Sequence, residues 1–140
     1  MEWKEALSLL QENHTGVAIS ITPNGRAQST VVSTAVLDDK IGFASRGWTI
    51  KVKNIERTGR ATVTVIKLDT RRYVTVEGPA SVEPWQDTPA HIKRLKDLYV
   101  AMGRAPKGTD EQFAHQMREE QRNLVLITPE RLYGSLRAGA

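Results

Sequence analysis

Ala44-Ser45-Arg46-Gly47-Trp48-Thr49-Ile50-Lys51-Val52-Lys53-Asn54-Ile55 is the stretch around which the fold of this chain is read. An apolar run from Ile41 to Ala44 reads as a strand that stops at a small, polar, glycine-containing turn. Thr49 then stands as the N-cap of a short helix, and Gly59 as its end. One helix here, after a third strand, and two more after a fifth are the pattern that decides the fold. The same helix opening has a chemical meaning, because its first N–H groups lack partners and its dipole favours negative charge. Lys51 and Lys53 add charge to that turn. Cations are locally unfavourable at a helix N-terminus, so two of them point to an anionic partner. A solvated basic helix surface is the competing reading, and spacing alone does not choose between them.

Upstream, Trp3, Ala6, Leu7 and Leu10 repeat at helical spacing, so residues 2–13 read as an amphipathic helix packed across a barrel. Residues 17–22 alternate as a strand and close on Pro23-Asn24-Gly25, a hairpin turn. Residues 27–37 read as the second strand, Asp38-Asp39-Lys40 as a turn, and 41–45 as the third strand, together an antiparallel meander. Downstream, 61–66 and 73–82 read as the fourth and fifth strands, with Gly78-Pro79 marking a bend. Thr88 and Pro89 open a helix that ends at Gly103, residues 104–108 are loop, and Thr109 opens a capping-box helix with Phe113 and Met117 facing inward. Residues 124–127 read as a sixth strand, Pro129 interrupts, and 132–136 form a short seventh. The expected fold is mainly β with flanking helices: a small antiparallel barrel in a single domain over 1–140. A Rossmann sheet would alternate strand and helix throughout.

Composition bounds the function. At 140 residues the chain holds one core, a size at which a site shared between two copies is expected. The absence of cysteine excludes thiolate metal sites and cysteine nucleophiles. No stretch reaches a membrane span and the acidic start does not read as a signal peptide, so no membrane association and a cytoplasmic location are expected. A net charge of +4 favours anionic partners. The three histidines, His14, His91 and His115, share no ligand spacing and are expected at surface or boundary positions. No serine lies in a glycine-flanked elbow, and paired carboxylates such as Asp38-Asp39 fall in turns or on helix surfaces. No side chain is therefore assigned as catalytic and no metal is expected; a bound cofactor would carry any reaction. Aromatic content of 6%, with only Phe43 and Tyr73 central in predicted strands, argues against a base-stacking nucleic-acid surface.

Three stretches carry a family resemblance. They are Asn24-Gly25-Arg26-Ala27-Gln28-Ser29-Thr30-Val31-Val32, the run from Ser45 to Ile55 followed by Arg57-Thr58-Gly59-Arg60-Ala61, and Tyr73-Val74-Thr75-Val76-Glu77-Gly78-Pro79-Ala80. With Ile127-Thr128-Pro129-Glu130-Arg131-Leu132-Tyr133-Gly134, and in this order, the chain resembles the pyridoxamine 5′-phosphate oxidase superfamily of split β-barrel flavin and deazaflavin proteins. The resemblance implies an FMN-binding split barrel-like homodimer with cofactor sites at the interface and hydride transfer as chemistry. It implies that the cofactor phosphate sits near Lys51 and Lys53, close to Asn54. The ring would lie along Gln28, Thr30, Val31 and Val32 and near the turn carrying Ser45, Arg46, Trp48 and Thr49. Thr49 departs from the arginine frequent in the deazaflavin branch, with Arg46 the nearest replacement, and Gly59 replaces a proline. The short form and basic charge resemble the branch that uses the deazaflavin F420, with FMN as the alternative. The implied activity is reduction of an unsaturated or quinone-like small molecule; a non-catalytic flavin, deazaflavin or haem binding or sensing protein is the other class.

Overall fold

A computed structural model describes residues 1–104 and 106–137. Ala105, within the expected loop 104–108, and residues 138–140 of the single-domain assignment lie outside the described residues. The elements are α1 (Trp3–Glu12), β1 (Thr15–Ile21), β2 (Ala27–Ser33), β3 (Ala35–Leu37), β4 (Lys40–Arg46), α2 (Ile50–Thr58), β5 (Arg60–Lys67), β6 (Arg72–Glu83), α3 (Pro89–Ala101), α4 (Asp110–Glu120), β7 (Arg122–Ile127) and β8 (Arg131–Ser135). Every strand pair is antiparallel. Hydrogen bonding runs in the order β2-β1-β5-β6-β7-β4-β3, with β8 pairing β6.

The two ends of that path, β2 and β3, are consecutive pieces of one chain segment. Residues 27–37, expected as a single strand, break at Thr34 and pass from one edge of the sheet to the other, which brings the two edges together. The expected meander of three strands is therefore not formed: β2 pairs β1, whereas β4 pairs β3 and β7. A segment that turns a barrel corner cannot continue the ladder it leaves, so its backbone needs other partners. His14 supplies them. Its carbonyl accepts from the Thr34 N–H at 2.8 Å, and its Nδ1 bonds the Thr34 carbonyl at 2.9 Å.

The core divides at β7. Val125 and Ile127 join Ile41, Phe43, Val63, Val65, Val74 and Val76 in the barrel interior, which α1 covers with Leu9 and Leu10. Leu124 and Leu126 point the other way, into a second core with Leu95 and Leu98 of α3 and Phe113 and Met117 of α4. A strand buried on both faces has no polar alternation, which explains the unbroken apolar run in the sequence. Each fully buried leucine, isoleucine or phenylalanine contributes roughly 1.5–3 kcal/mol, so this second core holds α3 and α4 against the sheet.

The long strand β6 serves both halves of the sheet. Residues 72–79 pair β5, 73–77 also pair β8, and 80–83 pair β7. The change of partner falls at Gly78-Pro79, where the turn after β7 lies directly on the strand: the Thr128 N–H donates to Pro79 O at 2.8 Å and the Glu130 N–H to Glu77 O at 3.0 Å. A Cβ on Gly78 would stand 1.9 Å from the Thr128 carbonyl oxygen, a backbone atom that cannot move without breaking those bonds. Gly78→Ala should therefore destabilise the fold by about 1–3 kcal/mol, the usual cost of forced overpacking. Ser81→Ala, an exposed position on the same strand, should stay within about 0.5 kcal/mol of wild type. Urea denaturation of both variants checks this, and an unchanged midpoint for Gly78→Ala refutes the close approach.

Candidate functional site

The register of β4 against β7 builds the site. Ser45 lies opposite Asn123 and Arg46 opposite Arg122, so the turn before α2 meets the junction of α4 and β7. Asn123 is buried and pins that turn: its Nδ2 donates to the Gly47 carbonyl, and its Oδ1 accepts from the Trp85 N–H at 2.9 Å. The Gly47 N–H donates to Gln121 O at 3.0 Å. Gly47 has φ 45°, a left-handed conformation that glycine adopts without steric cost.

Helix α2 starts where the sequence places it, with Thr49 at the N-cap, and ends at Gly59 with φ 68°. The Thr49 hydroxyl, however, does not cap the helix; it shares a 3.0 Å hydrogen bond with Ser45 Oγ. The first-turn N–H groups of α2 therefore have no side-chain acceptor among the described residues. They open toward a cleft of about 560 Å³. Val31, Val32 and Ser33 of β2, Ala44, Ser45 and Arg46 of β4, and Thr49 and Lys51 at the start of α2 form one part of its lining. Tyr99 and Met102 at the end of α3, Arg104 after it, Gln116 and Glu120 of α4, and Arg122 of β7 form the rest.

Four cations and one carboxylate line this cleft. Glu120, whose side chain is only 10% exposed, lies between Arg46, at 3.2 Å, and Arg122, at 3.1 Å, and also accepts from Gln116 Nε2 at 3.1 Å. Burial pushes the Glu120 carboxyl up, but hydrogen bonds and charge from Arg122, together with Gln116 and Arg46, more than offset it and hold it below the usual glutamate range. Arg122 Nη1 also donates to Ala44 O at 3.3 Å, so its guanidinium is fixed from two sides. Lys51 is half-buried and has no hydrogen-bond or ion-pair partner among the described residues. Burial, reinforced by the nearby Arg122 charge, pushes its pKa down.

Of the residues expected from sequence, Val31, Val32, Ser45, Arg46, Thr49 and Lys51 are brought together here, whereas Gln28, Thr30, Trp48, Lys53 and Asn54 do not line the cleft. Asn54 is buried with its amide occupied: Nδ2 donates to Ser20 Oγ at 3.1 Å and Gln28 Oε1 at 3.2 Å, and Oδ1 accepts from Arg57 Nη1 at 3.0 Å. It ties α2 to β1 and β2. Thr30 is half-buried on β2, Lys53 faces solvent, and Trp48 is half exposed. Tyr99, Met102, Arg104, Gln116, Glu120 and Arg122 carry no local motif; Tyr99 and Met102 read as part of an apolar helical stripe. His91, expected near the surface, is buried instead, with Nε2 bonded to Arg122 O at 2.9 Å and its ring edge-on to Trp85. His14 is half-buried and His115 exposed. Among the described residues, no group of three or more His, Asp or Glu is placed to hold a metal.

Residues 3–135 match the pyridoxamine 5′-phosphate oxidase family, and the chain belongs to it. No curated protein sequence matches the chain. Among solved structures it is similar to the conserved hypothetical protein Rv2991 from Mycobacterium tuberculosis, with 23% identity and a TM-score of 0.74 over 96% of this chain and 84% of that one. An F420 reductase superposes with a TM-score of 0.66 at 21% identity, over 90% of this chain and 94% of the other. A pyridoxamine 5′-phosphate oxidase-related, FMN binding protein from Nostoc punctiforme does so at 0.66 and 18%, over 94% and 82%. These likenesses show a common fold: the mainly antiparallel split barrel with flanking helices.

Because the folded-state pKa of Glu120 lies below its unfolded value, its contribution to stability is complete above the ordinary glutamate range and fades as pH falls through the lowered value. Glu120→Gln leaves Arg46 and Arg122 without their anion and should cost about 1–3 kcal/mol at neutral pH. The gap from wild type should narrow in acid. Denaturant titrations at neutral and acidic pH test this, and a gap independent of pH contradicts it.

Proposed function

We propose that the protein is an oxidoreductase that binds a deazaflavin, F420, with FMN as the alternative cofactor. The cofactor phosphate would lie at the opening of α2 and the small-molecule hydride acceptor in the remaining cleft. The observation that carries this reading is Lys51: a lysine desolvated in a cleft without a counter-ion, beside N–H groups that no side chain caps, is a site prepared for an anion. The cleft volume lies within the roughly 300–1,000 Å³ of small-molecule sites. When bound and reduced, the ring would supply hydride to an unsaturated or quinone-like acceptor. Lys51 and the α2 N–H groups would hold the phosphate, and the hydroxyl pair of Ser45 and Thr49 would orient the turn around it. Val32 and Met102 supply buried apolar lining that limits water. Catalysis on this reading is positioning and desolvation, with no side chain assigned as nucleophile.

F420 is favoured over FMN by the net charge of +4, which its oligoglutamate tail can use. Because surface attraction is screened by salt, the F420 preference should shrink as salt rises while the phosphate contact persists. Titration of both cofactors at low and high salt decides between them, and tighter FMN binding at both refutes the F420 assignment. Lys51→Ala removes a charge-assisted contact of about 1.5–3 kcal/mol and should weaken either cofactor about ten- to a hundredfold. A bound anion raises a lysine pKa, so affinity should be flat at neutral pH and fall as pH rises through the lowered Lys51 value, with proton uptake on binding in that window. Calorimetry in buffers of different ionisation enthalpy measures that uptake, which Lys51→Met should abolish.

The same site supports a homodimer. Val31, 72% exposed, lines the cleft and also ends a cross-strand row, Val31, Val17, Thr64, Thr75 and Tyr133, on the face of the sheet turned away from the barrel core. Ile21, at 44%, and Tyr133, at 41%, extend this apolar surface, and a second copy would cover it and close the cleft. Light scattering should give twice 15.6 kDa. A stable monomer with full cofactor affinity would overturn the dimer.

A further inference from the structure

The side of the cleft formed after α3 holds cationic and hydroxyl donors that a phosphate at Lys51 does not account for. Resting on the oxidoreductase reading above, we propose that Arg104 and Tyr99, backed by Arg122, form a second anion site that recognises a carboxylate, carried by the small molecule acted upon.

Among the described residues, Glu120 is the only acidic one lining the cleft, and it is shared by Arg46 and Arg122. Three positive charges remain after that pairing. A phosphate monoester such as that of FMN brings about −1.5 to −2, so roughly one cation stays uncompensated with FMN in place. Arg104 is that cation. Its one side-chain partner among the described residues is the neutral Ser33 hydroxyl, at 3.2 Å from Nη1, which leaves most of the guanidinium fork free.

Tyr99 lines the same cleft, and the Arg104 N–H donates to the Tyr99 carbonyl at 2.9 Å, which ties the two backbones together. Its ring is fixed edge-on against Phe113, with centroids 5.7 Å apart. Its phenol has no hydrogen-bond partner among the described residues. Burial, reinforced by the Glu120 charge, raises the phenol pKa against the opposing charges of Arg122, Arg104 and Arg46, so the hydroxyl remains a donor at neutral pH. A rigid O–H and a guanidinium fork are complementary to a carboxylate, which accepts at two oxygens. Arg122, immobilised by Glu120 and Ala44 O, adds a fixed positive charge without needing to move.

The test uses the cofactor-loaded protein and succinate as probe, with its uncharged diamide as control, followed by calorimetry and by chemical shifts. Succinate should bind saturably and the diamide should not. Arg104→Gln should weaken succinate about tenfold or more and Tyr99→Phe several-fold, with FMN affinity changed less than twofold in both. If Arg104→Gln weakens F420 but not a tail-free deazaflavin, the carboxylate site stands and its ligand is the cofactor tail. If succinate fails to bind the loaded protein, or binds with unchanged affinity in both variants, the site is refuted while the cofactor reading survives. Succinate binding through Arg104 in a protein that takes up neither cofactor refutes the cofactor reading instead.

Discussion

Arg46 and Arg122 face each other directly across β4 and β7, an arrangement that is destabilising between like charges unless an anion lies between them. Glu120, the last residue of α4, is that anion. Its carboxylate meets both guanidiniums within 3.2 Å while almost fully shielded from water. One side chain thereby fixes the end of α4, the start of β7 and the turn before α2 in a single arrangement. A network of this kind is stable only while every member is satisfied, and here the backbone completes it: Ala44 O takes the remaining Arg122 contact and Asn123 holds Gly47. The cleft inherits its shape from these bonds. Lys51, left outside the network, is half-buried with no hydrogen-bond or ion-pair partner among the described residues.

Closure of the barrel places those elements within reach of one another. Because β2 and β3 are parts of one segment that turns at Thr34, the two edges of the sheet meet through the chain itself, and the cleft forms where β2 runs past the ends of β4 and α3. The long strand β6 makes the same economy on the other side, exchanging its partners at Gly78, where only a glycine admits the turn carrying Thr128. Both bends concentrate demands on single residues. The strands between them tolerate the variety of valine, isoleucine and threonine that the sequence shows, because the core asks mainly for volume there.

Much of this was legible in the sequence. The helix between Thr49 and Gly59, the capped helices after Thr88 and Thr109, the bend at Gly78-Pro79 and the interruption at Pro129 are local signals, written in caps, glycines and prolines whose backbone preferences act within a few residues. Six cleft residues, Lys51 among them, were legible for the same reason: they belong to contiguous runs. Where local reading failed, the cause was pairing at a distance. Residues 27–37 have the composition of one strand, and nothing within them reveals that Thr34 turns inward and hands the chain to another part of the sheet. Asn54 looked like a ligand from its place in a motif, but its neighbours Ser20, Gln28 and Arg57 occupy its amide.

The sequence alone determined the class of fold, the position of the helix opening at Thr49 and the absence of cysteine chemistry, because periodicity, capping and composition are properties of short stretches. Only the tertiary structure decided which charges share a cleft. Arg46 and Glu120 are separated by 74 positions, and whether they meet depends on the register of β4 and β7, where a shift of one residue would send each side chain to the opposite face. That register is set by the packing of Phe43, Leu124, Val125 and Leu126 into two cores at once, a condition that no single segment carries.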